Sequence, residues 1–324
     1  MTSLPRLKQV EITTGSRLHF GPLSFLPVEG RHFGGIGVMI DKPGWRLRLT
    51  KCDSEGVTGP QSDRVQELLH RLQPQDSTNW NVASTRIEVL EHIPSHRGLG
   101  SGTQLALALG TGLSRLAVQS TSTEQIAHKF GRGRRSAIGI AGFDTGGFLV
   151  DAGQSAPDSM GAIACRVPYP EEWRFVLISP ANESSPFSGN AERRAFQDLA
   201  SMDDQTSGRL ARLVLTEILP ALTQANHEAF AQALEQYGRA VGEFFRPQQG
   251  GVFAHPQMAS IAEMLKQVGY SGVAQSSWGP TLAVPLPSTS AATELMQWLL
   301  QLAPEKIDVA VVAARNCGCE IVER

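Results

Sequence analysis

Residues 94–104, Pro94-Ser95-His96-Arg97-Gly98-Leu99-Gly100-Ser101-Gly102-Thr103-Gln104, form a glycine-rich turn that runs directly into an apolar helical pattern. Leu105, Ala108, Leu109, Gly112 and Leu116 recur at helical spacing, which predicts a helix with one buried face and an outward N-terminus. Unpaired backbone N–H groups and the helix dipole at such an end favour an anion, so the chain is expected to handle phosphate. The turn lacks the lysine of a G-x-x-x-x-G-K-[ST] loop, and its glycines are wrongly spaced for G-x-G-x-x-G.

A chain of 324 residues exceeds the usual reach of a single hydrophobic core, which predicts two lobes, 1–169 and 170–324. In the first, alternation predicts strands at 8–13 and 45–50, a glycine-dense loop over 30–37, a helix over 63–73 and a strand over 85–93 leading into the phosphate loop. Ser122-Thr123-Glu124-Gln125 reads as a helix start, followed by the basic segment Arg132-Gly133-Arg134-Arg135-Ser136 and strands at 146–151 and 162–167. The second lobe reads as α+β of ferredoxin-like character. Strands are expected near 173–178 and 307–313, helices over 208–222, 226–245, 258–268 and 291–302, and a strand and loop over 272–284. Asn182 to Gly189 is the candidate mobile lid.

Charge is balanced, 29 Lys and Arg against 31 Asp and Glu for a net −2, so nothing global draws the chain to nucleic acid or to an anionic membrane. Any anion binding must come from local basic clusters. No stretch has the length of a bilayer span and the first residues lack a secretory apolar core, which predicts a cytoplasmic protein without membrane association. Cys52, Cys165, Cys317 and Cys319 match no disulfide framework or paired zinc motif. Cys317-Gly318-Cys319 is read as reduced thiols in a terminal strand rather than a metal site.

Three separated segments carry a resemblance: Ser16-Arg17-Leu18-His19-Phe20-Gly21, the P-x-x-x-G-L-G-S loop, and Gln275-Ser276-Ser277-Trp278-Gly279-Pro280-Thr281. Together they resemble the GHMP kinase superfamily. That resemblance implies a two-lobed α+β fold with a ribosomal S5 domain 2-like N-terminal lobe and a ferredoxin-like C-terminal lobe. Kinases of the superfamily commonly carry S-G-x-D before a G-G pair, but aligning that pair on Gly146-Gly147 puts Gly139 where their catalytic Asp stands. Asp144 lies on a different turn of the predicted helix, so it is not a ready substitute. Phe143-Asp144-Thr145-Gly146-Gly147 also has the wrong order of helix and strand for the acidic loop of ordinary phosphoribosyltransferases.

What stands there instead, Gly131 to Ile140 and Gly146 to Gly153, together with Arg17-Leu18-His19-Phe20 and Gln275 to Pro280, is similar to the β-ribofuranosylaminobenzene 5′-phosphate synthase family. The resemblance implies condensation of 5-phosphoribosyl diphosphate with 4-aminobenzoate or 4-hydroxybenzoate, releasing CO2 and diphosphate, in methanopterin biosynthesis. The superfamily resemblance leaves an ATP-dependent small-molecule kinase as the alternative, and a catalytically silent ligand sensor is a third reading.

The chemistry implied needs anion stabilisation more than a base, because CO2 leaves where a proton otherwise would. Arg17, His19, Arg132 and Arg135 are the catalytic candidates; Arg97, Gly98, Leu99, Gly100, Ser101, Gly102 and Thr103 are the phosphate-binding ones, with Mg2+ as cofactor and its ligands unassigned. Arg31, Arg134 and His96 are further candidates. For the substrate the candidates are Ser136, Asp151, Ser276, Ser277, Trp278 and Gly279. His19 and Trp278 read equally as core residues, and Asp151 as a strand-end turn residue. The expected partners are small-molecule substrates, with a homodimer as the default assembly.

Overall fold

The computed structural model describes residues 7–53, 55–157, 159–181, 194–302 and 306–324; the lid candidate at 182–189 lies outside them. The N-terminal half carries two sheets. In the first, β1 (Gln9–Thr13) pairs antiparallel with β4 (Arg46–Lys51), β4 with β6 (Thr85–Glu91), and the short β5 (Gly56–Thr58) runs parallel to β6. Alternation along β1 and β4 buries Val10, Ile12, Leu47 and Leu49 on one face. The opposite face carries an ionic ladder in which Arg46 and Arg48 both reach Glu11, at 2.6 and 3.2 Å, and Arg48 continues to Glu88 at 2.8 Å. Burial alone would push the Glu11 carboxyl up; its two arginines outweigh that and hold it below the ordinary value.

The second sheet, β2 (Ser16–His19), β3 (Gly35–Ile40), β7 (Phe148–Asp151) and β8 (Ile163–Val167), is antiparallel throughout. Every residue of β3 is buried. Part of the predicted 30–37 loop is therefore strand. Glycine is needed at Gly37 for packing, since a Cβ there would strike the Leu18 carbonyl of β2.

Helices α1 (Ser62–His70) and α2 (Pro74–Asn79) precede β6. Beyond it, α3 (Ser101–Leu116) lies on β1 and β4 and against α4 (Thr123–Lys129) and α5 (Ile138–Thr145). One buried face is predicted for α3, but almost all of it is buried, because it is sandwiched between sheet and helices. Gly112 and Gly110 allow that fit: a Cβ on the first would crowd Leu49, and on the second Ile126 and Phe130.

The C-terminal half is built on a third antiparallel sheet, ordered β10 (Ala274–Gln275), β11 (Leu282–Leu286), β9 (Arg174–Pro180), β12 (Ile307–Ala313). Alternation along β9 sends Val176 and Ile178 to one side, where α9 (Pro256–Gln267) and α10 (Thr289–Leu302) cover them. Phe175 and Leu177 point the other way, into the core shared with α8 (His227–Gln249) and the first half. The predicted helix over 208–222 is observed as α6 (Asp204–Leu213), a π turn (Val214–Ile218) and α7 (Leu219–Thr223). Pro220, which has no N–H to donate, accounts for the widened turn.

The chain ends back in the first half. β13 (Glu320–Glu323) pairs with β1, and Ala314 bridges Ile40, so the last residues of the span 170–324 complete the N-terminal sheet. Cys317 and Cys319 sit in the approach to that strand rather than within it, free of disulfides. No described helix is long and apolar enough to cross a membrane.

Candidate active site

The three separated motifs meet around one point. The Ser276 hydroxyl donates to the Gly98 carbonyl at 2.8 Å and accepts the His19 backbone N–H at 3.1 Å, while the Ser277 N–H donates to the His19 carbonyl at 2.6 Å. The Arg17 N–H donates to the Leu99 carbonyl at 3.0 Å. Ser276 is fully buried, so its one hydroxyl ties the loop, the end of β2 and the 275–281 segment together without water. Gly98 sits at φ 76° hard against this seam: a side chain there would strike the Ser276 carbonyl.

The loop delivers α3 with Gly100 as its N-cap residue, in the left-handed conformation and with no capping side chain. Thr103 and Gln104 donate their N–H groups to the Gly100 carbonyl, and no cap side chain takes up the amides before them. Two of the expected arginines flank this helix start. The Arg17 side chain lies against Gly100, its Nε 3.1 Å from where a Cβ would stand, and the Arg132 guanidinium lies 3.3 Å from the same point on Gly102. Thr103, in the same turn, faces Gly139, whose own Cβ position is 3.5 Å from both Thr103 Cγ2 and Arg17 Cδ. Gln104 fixes this contact by donating to the Gly139 carbonyl at 2.7 Å. Gly139, the position that the sequence alignment sets opposite the kinases' Asp, is thus bare backbone facing Arg17.

Asp144 is directed elsewhere. It accepts from the Thr123 hydroxyl at 2.6 Å, and burial pushes its carboxyl up.

Arg132 is half-buried, and among the described residues it forms no ion pair; its Nε is buried without a hydrogen-bond partner. Burial first, then the neighbouring Arg71 and Arg64, makes its charge harder to hold. An arginine in that position calls for an anion. The His19 imidazole is buried behind Arg17 with an unpartnered Nε2, and burial followed by the Arg17 charge holds its pKa well below the ordinary histidine value. The ring is neutral near pH 7 and positions neighbours through its backbone.

Other candidates take different places. Arg97 turns away from α3: its guanidinium donates to the Ser179 hydroxyl at 2.8 Å, the Pro180 carbonyl at 2.6 Å and Asp308 at 3.3 Å, pinning the loop to the third sheet. Its expected phosphate role does not match that placement, because the arginine stem spans the gap between sheets. The Ser101 hydroxyl is committed to the protein, donating to the Ile93 carbonyl at 3.1 Å.

Asp151 is fully buried, with one carboxylate oxygen accepting the Ala137 N–H at 2.6 Å and the other the Gly153 N–H at 2.8 Å. It anchors the basic segment in the turn-residue role, helped by Ser136 and by Gln154, which donates to the Arg134 carbonyl at 2.8 Å. Burial dominates and pushes its carboxyl up. Arg31 donates to the Gly153 carbonyl at 2.9 Å beside it, while Arg134 and His96 are exposed. Trp278 is buried against Phe245 and Phe196, at ring distances of 4.5 and 5.2 Å, and the Arg135 guanidinium stacks 4.3 Å above Phe196. Arg135 and Trp278 thus share one aromatic cluster, and Gly279 borders the seam near Gly98.

The residues present do not build a dedicated Mg2+ cage. Among the described residues no three His, Cys, Asp or Glu side chains gather to hold a metal, and both oxygens of Asp151 are already bonded to backbone.

Sequence reasoning passed over Arg64. From α1 it donates to the hydroxyls of Ser95 and Ser101, at 2.8 and 2.9 Å, and packs over Trp45. Trp45 in turn donates its indole N–H to the Ser101 carbonyl at 3.0 Å. Nothing in the local pattern marks Arg64, because one arginine in an amphipathic helix is the ordinary composition of a solvated face.

Residues 64–149 match the family model described as the GHMP kinases N terminal domain. The β-ribofuranosylphenol 5′-phosphate synthase of Methanothermobacter thermautotrophicus is 29% identical, with 84% of this chain and 87% of the relative covered. The Archaeoglobus fulgidus protein of the same name is 27% identical over 96% of this chain and 99% of its own. Among solved structures, homoserine kinase from Cytophaga hutchinsonii superposes with a TM-score of 0.65 over 99% of this chain and all of that chain, at 15% identity, which shows a shared fold. Across most of its length the chain is thus similar to β-ribofuranosylphenol 5′-phosphate synthases, and residues 64–149 carry the GHMP kinase N-terminal domain match.

Proposed function

We propose that this chain transfers the phosphoribosyl group of 5-phosphoribosyl diphosphate to C1 of 4-hydroxybenzoate or 4-aminobenzoate, releasing diphosphate and CO2, in the synthesis of a methanopterin-type cofactor. The relatives' name specifies a phenol product, which makes 4-hydroxybenzoate the first acceptor to try. The observation that supports this reading most is Arg132, a half-buried cation with a buried, unpartnered Nε and no ion pair among the described residues, set against an uncapped helix N-terminus.

In this reading the sugar C1–O bond breaks with its electron pair going to diphosphate, held by the α3 amides, Arg17 and Arg132. Charge developing on the leaving oxygens meets donors already in place. The ring carbon bearing the carboxylate attacks C1, and the pair of the ring–carboxylate bond returns to the ring as CO2 departs. No proton has to be abstracted. Gly139 in place of a carboxylate then has a physical sense: an acid beside Arg17 would neutralise the charge that the leaving group needs. Mg2+ enters the proposal as the diphosphate's own counter-ion, lowering its charge, rather than as the centre of a protein cage. Arg135 and the Trp278 cluster are assigned to the flat, anionic acceptor.

Incubation with the donor, Mg2+ and carboxyl-labelled 4-hydroxybenzoate or 4-aminobenzoate is expected to give a riboside phosphate by mass, with one labelled CO2 per diphosphate. Turnover of ATP without any dependence on the phosphoribosyl donor would reassign the chain as a kinase. Binding of phosphate ligands without turnover of either donor would make it a sensor.

A further inference from the structure

Three consecutive positions at the start of α3 are each met by an arginine from a different element. Arg17 of β2 lies against Gly100, Arg64 of α1 bonds the Ser101 hydroxyl, and Arg132 of the segment after α4 lies against Gly102. Three separate elements thus each bring an arginine to the opening residues of this helix. Ser101 itself is immobilised: its hydroxyl is shared between Arg64 and the Ile93 carbonyl, and its own carbonyl takes the Trp45 indole N–H. Arg64 also holds Ser95 on the approach to the loop, so one side chain fixes both ends of the turn.

Arg64 and Arg132 are coupled electrostatically. Arg132 feels the charge of Arg64 and Arg71, while the nearby Glu67 is already hydrogen-bonded to Arg71. Arg64 is itself half-buried, and that burial weakens its hold on a proton. Arg64 and Arg132 held beside one helix end, with Glu67 already bonded to Arg71, cost folding energy unless an anion joins them. A diphosphate carries more charge than an orthophosphate, on two linked groups that can meet more than one of these arginines.

We propose that Arg64 is a positioning residue that completes an arginine collar around the first turn of α3, and that this collar selects diphosphate over monophosphate. The inference rests on the reading of this end as the leaving-group site.

Titration calorimetry on the purified protein, with inorganic diphosphate and separately with orthophosphate, each with and without Mg2+, tests it. Wild type should bind diphosphate at least about 10-fold more tightly than orthophosphate. Arg64→Met, which keeps the stem packed on Trp45, should lose about 10-fold or more for diphosphate and less than about 3-fold for orthophosphate. Arg64→Lys keeps the charge but cannot span both serines, and should fall between. A role in folding alone would shift both ligands equally.

Unchanged selectivity in folded Arg64→Met overturns the collar and leaves the leaving-group reading standing. Should that variant not fold, wild-type selectivity in Arg64→Lys overturns it instead. A wild-type protein that binds no diphosphate removes the underlying reading as well.

Discussion

Arg132→Ala is expected to lower kcat/KM for the phosphoribosyl donor by about 10²–10³-fold, the range found when one preorganised donor to a developing anion is removed. The loss should fall on kcat as well as KM, because charge on the leaving oxygens is larger in the transition state than in the ground state. The same substitution should leave thermal stability unchanged or raise it. Arg132 is half-buried beside other cations and forms no ion pair among the described residues, so the folded protein carries a desolvation cost that alanine relieves. A merely structural arginine would show the reverse, a lower melting temperature with catalysis intact. Steady-state kinetics on both substrates, together with a melting curve, separate the two.

Gly98→Ala is expected to cost about 2–4 kcal/mol of stability and more than about 100-fold in activity. At φ 76° any side chain is strained, and its Cβ would drive into the Ser276 carbonyl, so the seam joining the loop to His19 and Ser276 has to open. Pushing the loop off that seam moves the first amides of α3, and misplacement on the order of 1 Å is enough to lose about 10²-fold. Denaturant unfolding and kcat/KM should change together. Ser276→Ala, which removes the same tie without a clash, should give a milder loss in the same direction, about 1–3 kcal/mol. Wild-type activity in Gly98→Ala would mean that the seam does not set the loop.

The helix proposed to hold the anion, α3, is legible in the sequence because both of its causes are local: glycines at its start, and apolar spacing that buries the body. The absent carboxylate is legible too, as Gly139, once the Gly146-Gly147 pair fixes the alignment. What the residues alone do not announce is where long side chains go. Arg97 sits within the loop motif yet reaches across to Ser179 and Asp308, while Arg64, some thirty residues upstream, reaches back to Ser101. An arginine stem can span either way, and only tertiary packing decides. Trp278 is similar, a motif residue whose ring is spent largely on Phe245 and Phe196. The return of β13 to β1 escapes a reading that divides the chain by length, because strand pairing between residues 10 and 323 leaves no local trace.

The account stands on diphosphate lying at the α3 N-terminus, and a crystal structure of the protein with diphosphate and Mg2+ examines that most directly. The expected result is one phosphoryl group within hydrogen-bond distance of the amides following Gly100 and of the Arg132 guanidinium, with Arg17 alongside and Arg97 still bound to Ser179. Diphosphate found elsewhere, with Arg132 contacting no anion, would contradict it.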